Sequence, residues 1–155
     1  MKLLTHPHKD LSKPCPKYDM KHHAQDVLDA MDMVKVMTAD HGKLTGVGIA
    51  APQVGINKRF FVMFPDYQTK SKIMFCFDPK ITAHGRGVST MAESCLSVPG
   101  QAKSLDRWEI ITVEYIDETG KKITDTLKYW TARVFQHELD HLDGILCMFK
   151  RQELE

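Results

Sequence analysis

The sequence predicts an α+β fold in which mixed or antiparallel strands pack around a helix near the C-terminal end. Two observations support this prediction. Apolar residues recur at helical spacing in one segment near each end of the chain, and short apolar runs separated by turn residues fill the region between them. A chain of 155 residues has the size of one domain and can bury a core. We therefore expect one domain over residues 1–155.

The first part of the chain is predicted to contain an arm, a helix and an irregular loop. Residues 1–19 include three prolines and are expected to form an extended arm. A helix is expected from about Lys21 to Asp40, because apolar residues recur there at steps of three and four. These residues are Val27, Leu28, Met31, Val34 and Met37. The segment GVGIAAPQVG, residues 46–55, is too rich in glycine and proline to favour regular structure.

The rest of the chain is predicted to contain strands followed by a helix. The runs RFFVMF, KIMFCF and KITAH favour strands, with Pro65 and Asp78-Pro79 as breaks. EIITVEYI and KKITDTL flank the turn sequence DETG and so indicate a hairpin. In residues 129–144 the apolar side chains again follow helical spacing, and Gly144 is expected to end that helix.

Composition excludes several classes of function. A formal charge of +1, with scattered Lys and Arg, shows no nucleic-acid patch, and no apolar run is long enough to span a bilayer. The N-terminal residues lack the apolar core of a signal peptide. The four cysteines form no C-x-x-C pair, and without an export signal we expect reduced thiols. We therefore expect a cytoplasmic protein, or one of an organelle matrix in a eukaryotic host.

The segment QHELDHLDG, residues 136–144, indicates a metal site on the last helix. His137 and His141 are four residues apart, so their imidazoles share one helical face, and Glu138 lies beside them. A catalytic site of this kind needs a third protein ligand and an open position for water. Taken alone, the motif is also compatible with a chance spacing on a surface helix.

The third ligand is expected upstream of the two histidines. The downstream candidates are Asp143, Glu153 and Glu155. The first of them points away from the histidine face, and the two glutamates belong to a charged tail that is expected to fray. Cys95, in ESCLSVPG, precedes a Pro-Gly turn and carries a thiol suited to zinc and related metals. Taken alone, such a cysteine is more often a small buried residue, as we expect for Cys76 and Cys147 in their apolar runs.

Three segments considered together resemble the motifs of a known family. GVGIAAPQ (46–53), ESCLS (93–97) and QHELDH (136–141), in this order, resemble the three motifs of the peptide deformylases, and the likeness covers most of the chain from about Asp26 to Arg151. The resemblance implies one catalytic α+β domain. It also implies hydrolysis of the N-formyl group from the N-terminal formylmethionine of newly made polypeptides. Formylated nascent peptides would then be the partners, with the ribosome near its exit tunnel as a further candidate.

The resemblance also implies the chemistry of the site. One divalent metal per chain would be held by Cys95, His137 and His141, with water in the fourth position. The family usually carries Fe(II), and zinc, nickel or cobalt can also occupy its site. Glu138 would take a proton from the attacking water and later pass it to the leaving amine.

Further motif positions imply contacts with the substrate. The side-chain amide of Gln53 and the backbone N–H of Leu96 would donate to the oxyanion that forms on attack. Val47 and Gly48 would lie along the backbone of a substrate bound as an added strand. Val134 would line an apolar pocket for the methionine side chain.

The chain departs from the family pattern near the expected cleft. Ser94 replaces a glycine of the second motif, and Tyr129 and Trp130 stand where a glycine and a smaller residue are common. If the glycine at position 94 had a positive φ, or allowed close approach of the substrate, Ser94 would strain or narrow the site. Two alternatives are a non-catalytic relative that binds peptide or ribosome, and a zincin-type metallopeptidase. The second is disfavoured because it requires a downstream ligand.

Overall fold

The structure, a computed structural model, describes residues 1–42, 44–151 and 154. In these residues the α-helices are α1 (His23–Thr38) and α2 (Tyr129–Leu142). The strands are β1 (Gly48–Ala50), β2 (Phe60–Met63), β3 (Met74–His84), β4 (Val88–Cys95), β5 (Val98–Trp108), β6 (Ile110–Ile116) and β7 (Lys122–Lys128). Short 3-10 helices cover Lys9–Ser12, Met20–His22, Ala51–Val54 and Cys147–Phe149. The predicted α+β fold is confirmed.

The strands form two antiparallel sheets that share one helix. Five strands pair in the order β1-β2-β3-β6-β7, and β4 pairs with β5 as a separate hairpin. Helix α2 contacts strands of both sheets, β1, β2 and β7 on one side and β5 on the other. The helix that carries the two histidines is therefore held between the larger sheet and the hairpin.

The packing of β2 between two layers of side chains explains why its sequence is apolar throughout. Phe61 faces α2, where its ring meets that of Phe135 edge to face with 5.0 Å between centroids. Phe60 and Val62 belong to the other core cluster, which includes Met33 of α1. Because side chains alternate between the faces of a strand, a strand covered by a helix on each face carries no polar positions.

Helix α1 forms as predicted, but its buried face differs from the expected one. The buried residues are Asp26, Ala30, Met33 and Met37. Leu28 and Met31, which the apolar spacing placed in the core, are 57% and 50% exposed. Asp26 takes a core position instead, because its carboxylate accepts hydrogen bonds from Lys58 and Tyr18.

The strands also differ from the prediction in two places. The runs KIMFCF and KITAH join into the single strand β3, which passes the expected break through a bulge at Asp78, whose φ is +48°. The hairpin of β4 and β5 was not predicted, since Pro99 and Gly100 indicated a turn. Both residues lie inside β5, which tolerates them because it is paired on one side only. GVGIAAPQVG is also more regular than expected, with β1 and a 3-10 helix.

The N-terminal arm contacts the C-terminal end of α2. The helix ends just before Gly144, as predicted, and Gly144 has a φ of +76°. The backbone of Ser12 lies so close to Gly144 that a Cβ would overlap it. In the same region Cys15 N–H donates to the carbonyl of Leu142 at 2.8 Å. Neither α-helix in the described ranges has the length and apolar character needed to cross a bilayer.

Tyr129, the first residue of α2, has left-handed backbone geometry. Its φ is +52°, and its backbone N–H donates to the carbonyl of Glu109 at 2.6 Å. Its side chain is 65% exposed. For an L-residue with a Cβ this conformation costs roughly 1–2 kcal/mol, and glycine adopts it without that cost. A glycine, which the resemblance led us to expect at position 129, would therefore suit this backbone better.

We expect Tyr129→Gly to be more stable than Tyr129→Ala by roughly 0.5–1 kcal/mol in free energy of unfolding. Both variants remove the exposed ring, so the comparison isolates the strain at φ from the loss of side-chain contacts. Urea denaturation of the two variants measures the difference in free energy of unfolding, provided that their m-values are equal. Equal midpoints, or a more stable alanine variant, would show that the backbone at position 129 carries no such strain.

Candidate active site

The structure brings the three expected metal ligands together. Cys95 is the last residue of β4, and His137 and His141 lie one helical turn apart on α2. The thiol sulfur and one nitrogen of each imidazole all lie within 4.8 Å of one another. Sγ of Cys95 is 3.4 Å from Nε2 of His141, and the two imidazole rings have centroids 5.0 Å apart. A thiolate and two imidazoles are a suitable donor set for a divalent transition metal.

The downstream alternatives do not join this group in the described chain. Asp143 is half exposed and pairs with Arg59 at 2.9 Å. Glu153 and Glu155 lie outside the described residues. Cys76 and Cys147 are buried thiols in two core clusters, as expected.

Glu138 is a buried carboxyl group at the same site. The residue is 3% exposed, and its Oε2 has no hydrogen-bond partner among the described residues. Burial raises the pKa of Glu138 to about 7, although the nearby charge of His137 opposes the rise. A Cβ at Gly48 would overlap the Glu138 carboxyl group, so the glycine of β1 leaves the space that this side chain occupies.

A second buried carboxylate, Glu93, positions His137. Oε1 of Glu93 lies 2.9 Å from Nδ1 of His137, and the two oxygens of Glu93 accept a bidentate pair from Arg107 at 2.8 and 2.9 Å. Arg133 donates to Glu93 at 2.6 Å. Burial alone would raise the pKa of Glu93, but hydrogen bonds from Arg107 and His137 outweigh it and hold the pKa well below its usual range.

The network extends from Arg107 to the outer side of α2. Arg107 donates to Asp140 at 2.6 Å, and Lys150 donates to the other oxygen of Asp140 at 3.0 Å. Glu93, Arg107 and Asp140 were not predicted from the sequence to belong to the site. The signals that could have indicated them were Glu93 inside the ESCLS motif and Arg107 in the Asp-Arg pair before β6.

The two histidines differ in their proton affinity. Burial, together with the nearby charge of His137, holds the pKa of His141 well below its usual range. Burial also favours neutral His137, but its hydrogen bonds with Cys95 and Glu93 outweigh burial and raise its pKa well above the usual range. A metal requires both imidazoles neutral at the ligating nitrogen, so a metal here competes with a proton at His137.

Gln53 and Leu96 lie beside Cys95. The Gln53 side chain is buried, and its Nε2 lies 3.6 Å from Sγ of Cys95 and 3.1 Å from Oγ of Ser97. Its Oε1 accepts from the backbone N–H of Ala50 at 2.8 Å. Leu96 follows Cys95 directly in the turn between β4 and β5 and lines the same cavity as Gln53.

A cavity of about 200 Å³ opens onto these groups. Residues 44–48, residues 91–96 and the first turns of α2 line it. The lining includes Val47, Gly48, Ser94 and Val134, which the resemblance placed along the substrate. Ser94 does not have a positive φ, so its backbone carries no left-handed strain, and its effect on the cavity comes from its side chain. Trp130 also lines the cavity and packs on Tyr67, with 4.7 Å between ring centroids.

Comparisons with known proteins agree with these motifs. The family model described as Polypeptide deformylase matches residues 1–155. A peptide deformylase of Orientia tsutsugamushi (strain Ikeda) is 36% identical over 159 residues, which cover 96% of this chain and 84% of that protein. A peptide deformylase of Symbiobacterium thermophilum is 41% identical over 115 residues, or 74% of this chain, and the match spans half of that protein's length.

The fold is also similar to that of solved structures. The crystal structure of peptide deformylase from Thermotoga maritima superposes with a TM-score of 0.84 at 32% identity, covering 95% of this chain and 94% of that one. Family, relatives and structure together support a deformylase enzyme and do not favour the non-catalytic alternative. The chain therefore belongs to the polypeptide deformylase family.

Proposed function

We propose that this chain hydrolyses the N-formyl group of N-terminal formylmethionine in newly made polypeptides, releasing formate and a free amine. The observation that carries the proposal is the grouping of Cys95, His137 and His141, whose ligand atoms all lie within 4.8 Å of one another. Two of these residues, Cys95 and His137, line the cavity together with Glu138. Residues 1–155 would act as one catalytic domain with residues 1–19 as its arm.

The residues present fit one divalent metal. A thiolate and two imidazoles supply three ligands of the expected kinds, and Glu93 fixes the ring of His137 through its other nitrogen. Fe(II) is the leading candidate, and zinc, nickel and cobalt suit the same donors. A metal bound there would lower the pKa of a coordinated water, so that hydroxide is available near neutral pH.

Glu138 would take a proton from the attacking water and donate it to the leaving amine. A general base must reach the attacking water. Glu138 lines the cavity, and its carboxylate oxygen Oε2 has no competing partner among the described residues. Because burial raises the pKa of Glu138 to about 7, its protonated form is also accessible near neutral pH. The same group can then pass the proton to the amine as the C–N bond breaks.

Gln53 and Leu96 would stabilise the negative charge that develops on the formyl oxygen. One N–H of the Gln53 side chain donates to Ser97, and the other faces Sγ of Cys95 at 3.6 Å. This second N–H lies next to the sulfur beside which the formyl group would bind. The backbone N–H of Leu96 follows Cys95 in the turn. Preorganised donors of this kind are typically worth about 10²–10³ in kcat each.

The peptide would bind as an extended strand in the cavity. β1 is an edge strand of the five-stranded sheet, and Val47 and Gly48 line the cavity at that edge. An edge strand offers main-chain groups to an added strand. The methionine side chain would lie against Val134, an apolar residue one turn before His137. The substrates would be nascent chains in the cytoplasm or an organelle matrix, which makes the ribosome a further candidate partner.

Glu138→Ala is expected to retain the metal and to lose hydrolysis by about 10²–10⁴-fold or more, because the attacking water loses its base. The measurement is kcat/KM on a short formyl-Met peptide, with anaerobically purified, Fe(II)-loaded protein and metal content determined on the same samples. Normal turnover by this variant would contradict the proposed role of Glu138.

Cys95→Ala is expected to lose most of its bound metal, whereas Cys76→Ala is expected to keep it. Both substitutions remove a buried thiol, but Cys76 lies in β3 within the core and not among the three ligands. Metal analysis after dialysis gives the answer without an activity assay. Equal metal content in the two variants would favour a site completed by some other ligand, as a zincin-type peptidase requires.

Ser94→Gly is expected to raise kcat/KM on formylated peptides. Ser94 lines the cavity and its φ is not positive, so its side chain acts by occupying space next to the substrate and not by straining the backbone. An unchanged or lower kcat/KM would mean that Ser94 does not obstruct the substrate. Thermal unfolding of the same variant serves as the control for a general change in stability.

A further inference from the structure

Ser97 is a buried hydroxyl group between the N-terminal arm and the site. It is fully buried, and its Oγ donates to the backbone carbonyl of Leu4 at 2.8 Å. The same oxygen accepts from Nε2 of Gln53 at 3.1 Å. A serine hydroxyl has one hydrogen to donate, and here the carbonyl of Leu4 takes it. The lone pairs of Oγ therefore face Gln53.

This arrangement determines which way the Gln53 amide points. The backbone N–H of Ala50 is a donor, so the oxygen Oε1 of Gln53 must face it, as it does at 2.8 Å. Nε2 is then on the other side, where it can donate one hydrogen to Ser97 and direct the other toward Sγ of Cys95 at 3.6 Å. Ala50 thus donates to the oxygen of the amide, and Ser97 accepts from its nitrogen, so the two partners together fix the orientation of the amide.

The arm takes part in the same network through its backbone. Leu4 N–H donates to the carbonyl of Gln53 at 2.7 Å, and His6 N–H donates to the carbonyl of Ser97 at 2.8 Å. The arm therefore bonds to the 3-10 helix that carries Gln53 and also to the turn that follows Cys95. The Ser97 hydroxyl joins these two connections, because it bonds to the arm and to the Gln53 side chain.

We propose that Ser97 is a positioning residue that, anchored by the arm at Leu4, orients the amide of Gln53 toward the formyl oxygen. The proposal rests on the proposed function, in which Gln53 donates to the oxyanion. Without the hydroxyl, the amide keeps its bond to Ala50 but loses the partner that fixes the rotation of the planar amide about its Cγ–Cδ bond. The remaining N–H is then no longer aimed at one place, and preorganisation is lost.

A double-mutant cycle tests the action of Ser97 through Gln53. The variants are Ser97→Ala, Gln53→Ala and the double substitution, each assayed as metal-loaded enzyme on a formyl-Met peptide. We expect Ser97→Ala to lower kcat about tenfold in the parent, with KM changed less than about threefold. In the Gln53→Ala background we expect no further loss of kcat, because the effects of residues that act through one another are not additive.

A structural measurement on the zinc-loaded protein tests the orientation without any assay. The ¹⁵N order parameter of the Gln53 side-chain amide is expected to be high in the parent and to fall below about 0.6 in Ser97→Ala. Tyr18→Phe is the matched control. It removes one partly buried hydroxyl that bonds to Asp26 and His23, and should leave both the Gln53 amide and kcat unchanged.

The possible results separate this inference from the proposed function. Equal losses of kcat from Ser97→Ala in both backgrounds, or an amide of Gln53 that stays rigid, would overturn the positioning role. If Gln53→Ala alone leaves kcat unchanged, the oxyanion role of Gln53 fails, and the proposal for Ser97 fails with it. A parent protein that does not deformylate at all contradicts the proposed function, and the amide measurement still decides whether Ser97 orients Gln53.

Discussion

The buried carboxylate of Glu93 is the interaction on which the site depends. It lies in β4 and accepts from Arg107 of β5 and from Arg133 and His137 of α2, so one side chain connects the hairpin to the helix. Removing such a charge from water costs several kcal/mol, and only complete hydrogen bonding offsets that cost. The charged side chains around Glu93 are therefore restricted to the arrangement in which all of them are hydrogen-bonded. In this arrangement Cys95, two residues after Glu93, faces the two histidines.

The larger sheet packs closely against α2 and so contributes the other parts of the site, the space around Glu138 and the side chain of Gln53. Its edge strand β1 passes so near α2 that only a glycine fits at position 48 beside the Glu138 carboxyl group. The 3-10 helix that follows β1 carries Gln53, whose side chain reaches Cys95 at the end of β4. The groups that we propose to act in the reaction thus come from both sheets and from α2, which packs between them. The packing that stabilises the fold also brings a thiol and two imidazoles within 4.8 Å of one another, with the carboxyl group of Glu138 nearby.

Sequence patterns predicted the features that depend on residues close together in the chain, but not those that depend on contacts between distant segments. The spacing of His137 and His141, and the helix end at Gly144, depend on neighbours within a few residues, and both could be predicted. The partners of Glu93 lie 14 residues away at Arg107 and 44 residues away at His137, so no periodicity indicates them. The predicted buried face of α1 was wrong for a related reason. The burial of Asp26 depends on its hydrogen bond with Lys58, which lies in a distant segment of the sequence.

Positions 94 and 129, where the resemblance led us to expect glycine, differ in the physical consequences of their side chains. At position 129 the backbone still has the left-handed geometry that glycine favours, so the cost of tyrosine is conformational and the exposed ring adds little packing in return. At position 94 the backbone is not left-handed, so a glycine there is not required by conformation. What glycine provides at 94 is room along the cavity, and the serine side chain takes that room from whatever binds beside Cys95. The tyrosine at 129 therefore affects the stability of the first turn of α2, and the serine at 94 reduces the space in the cavity.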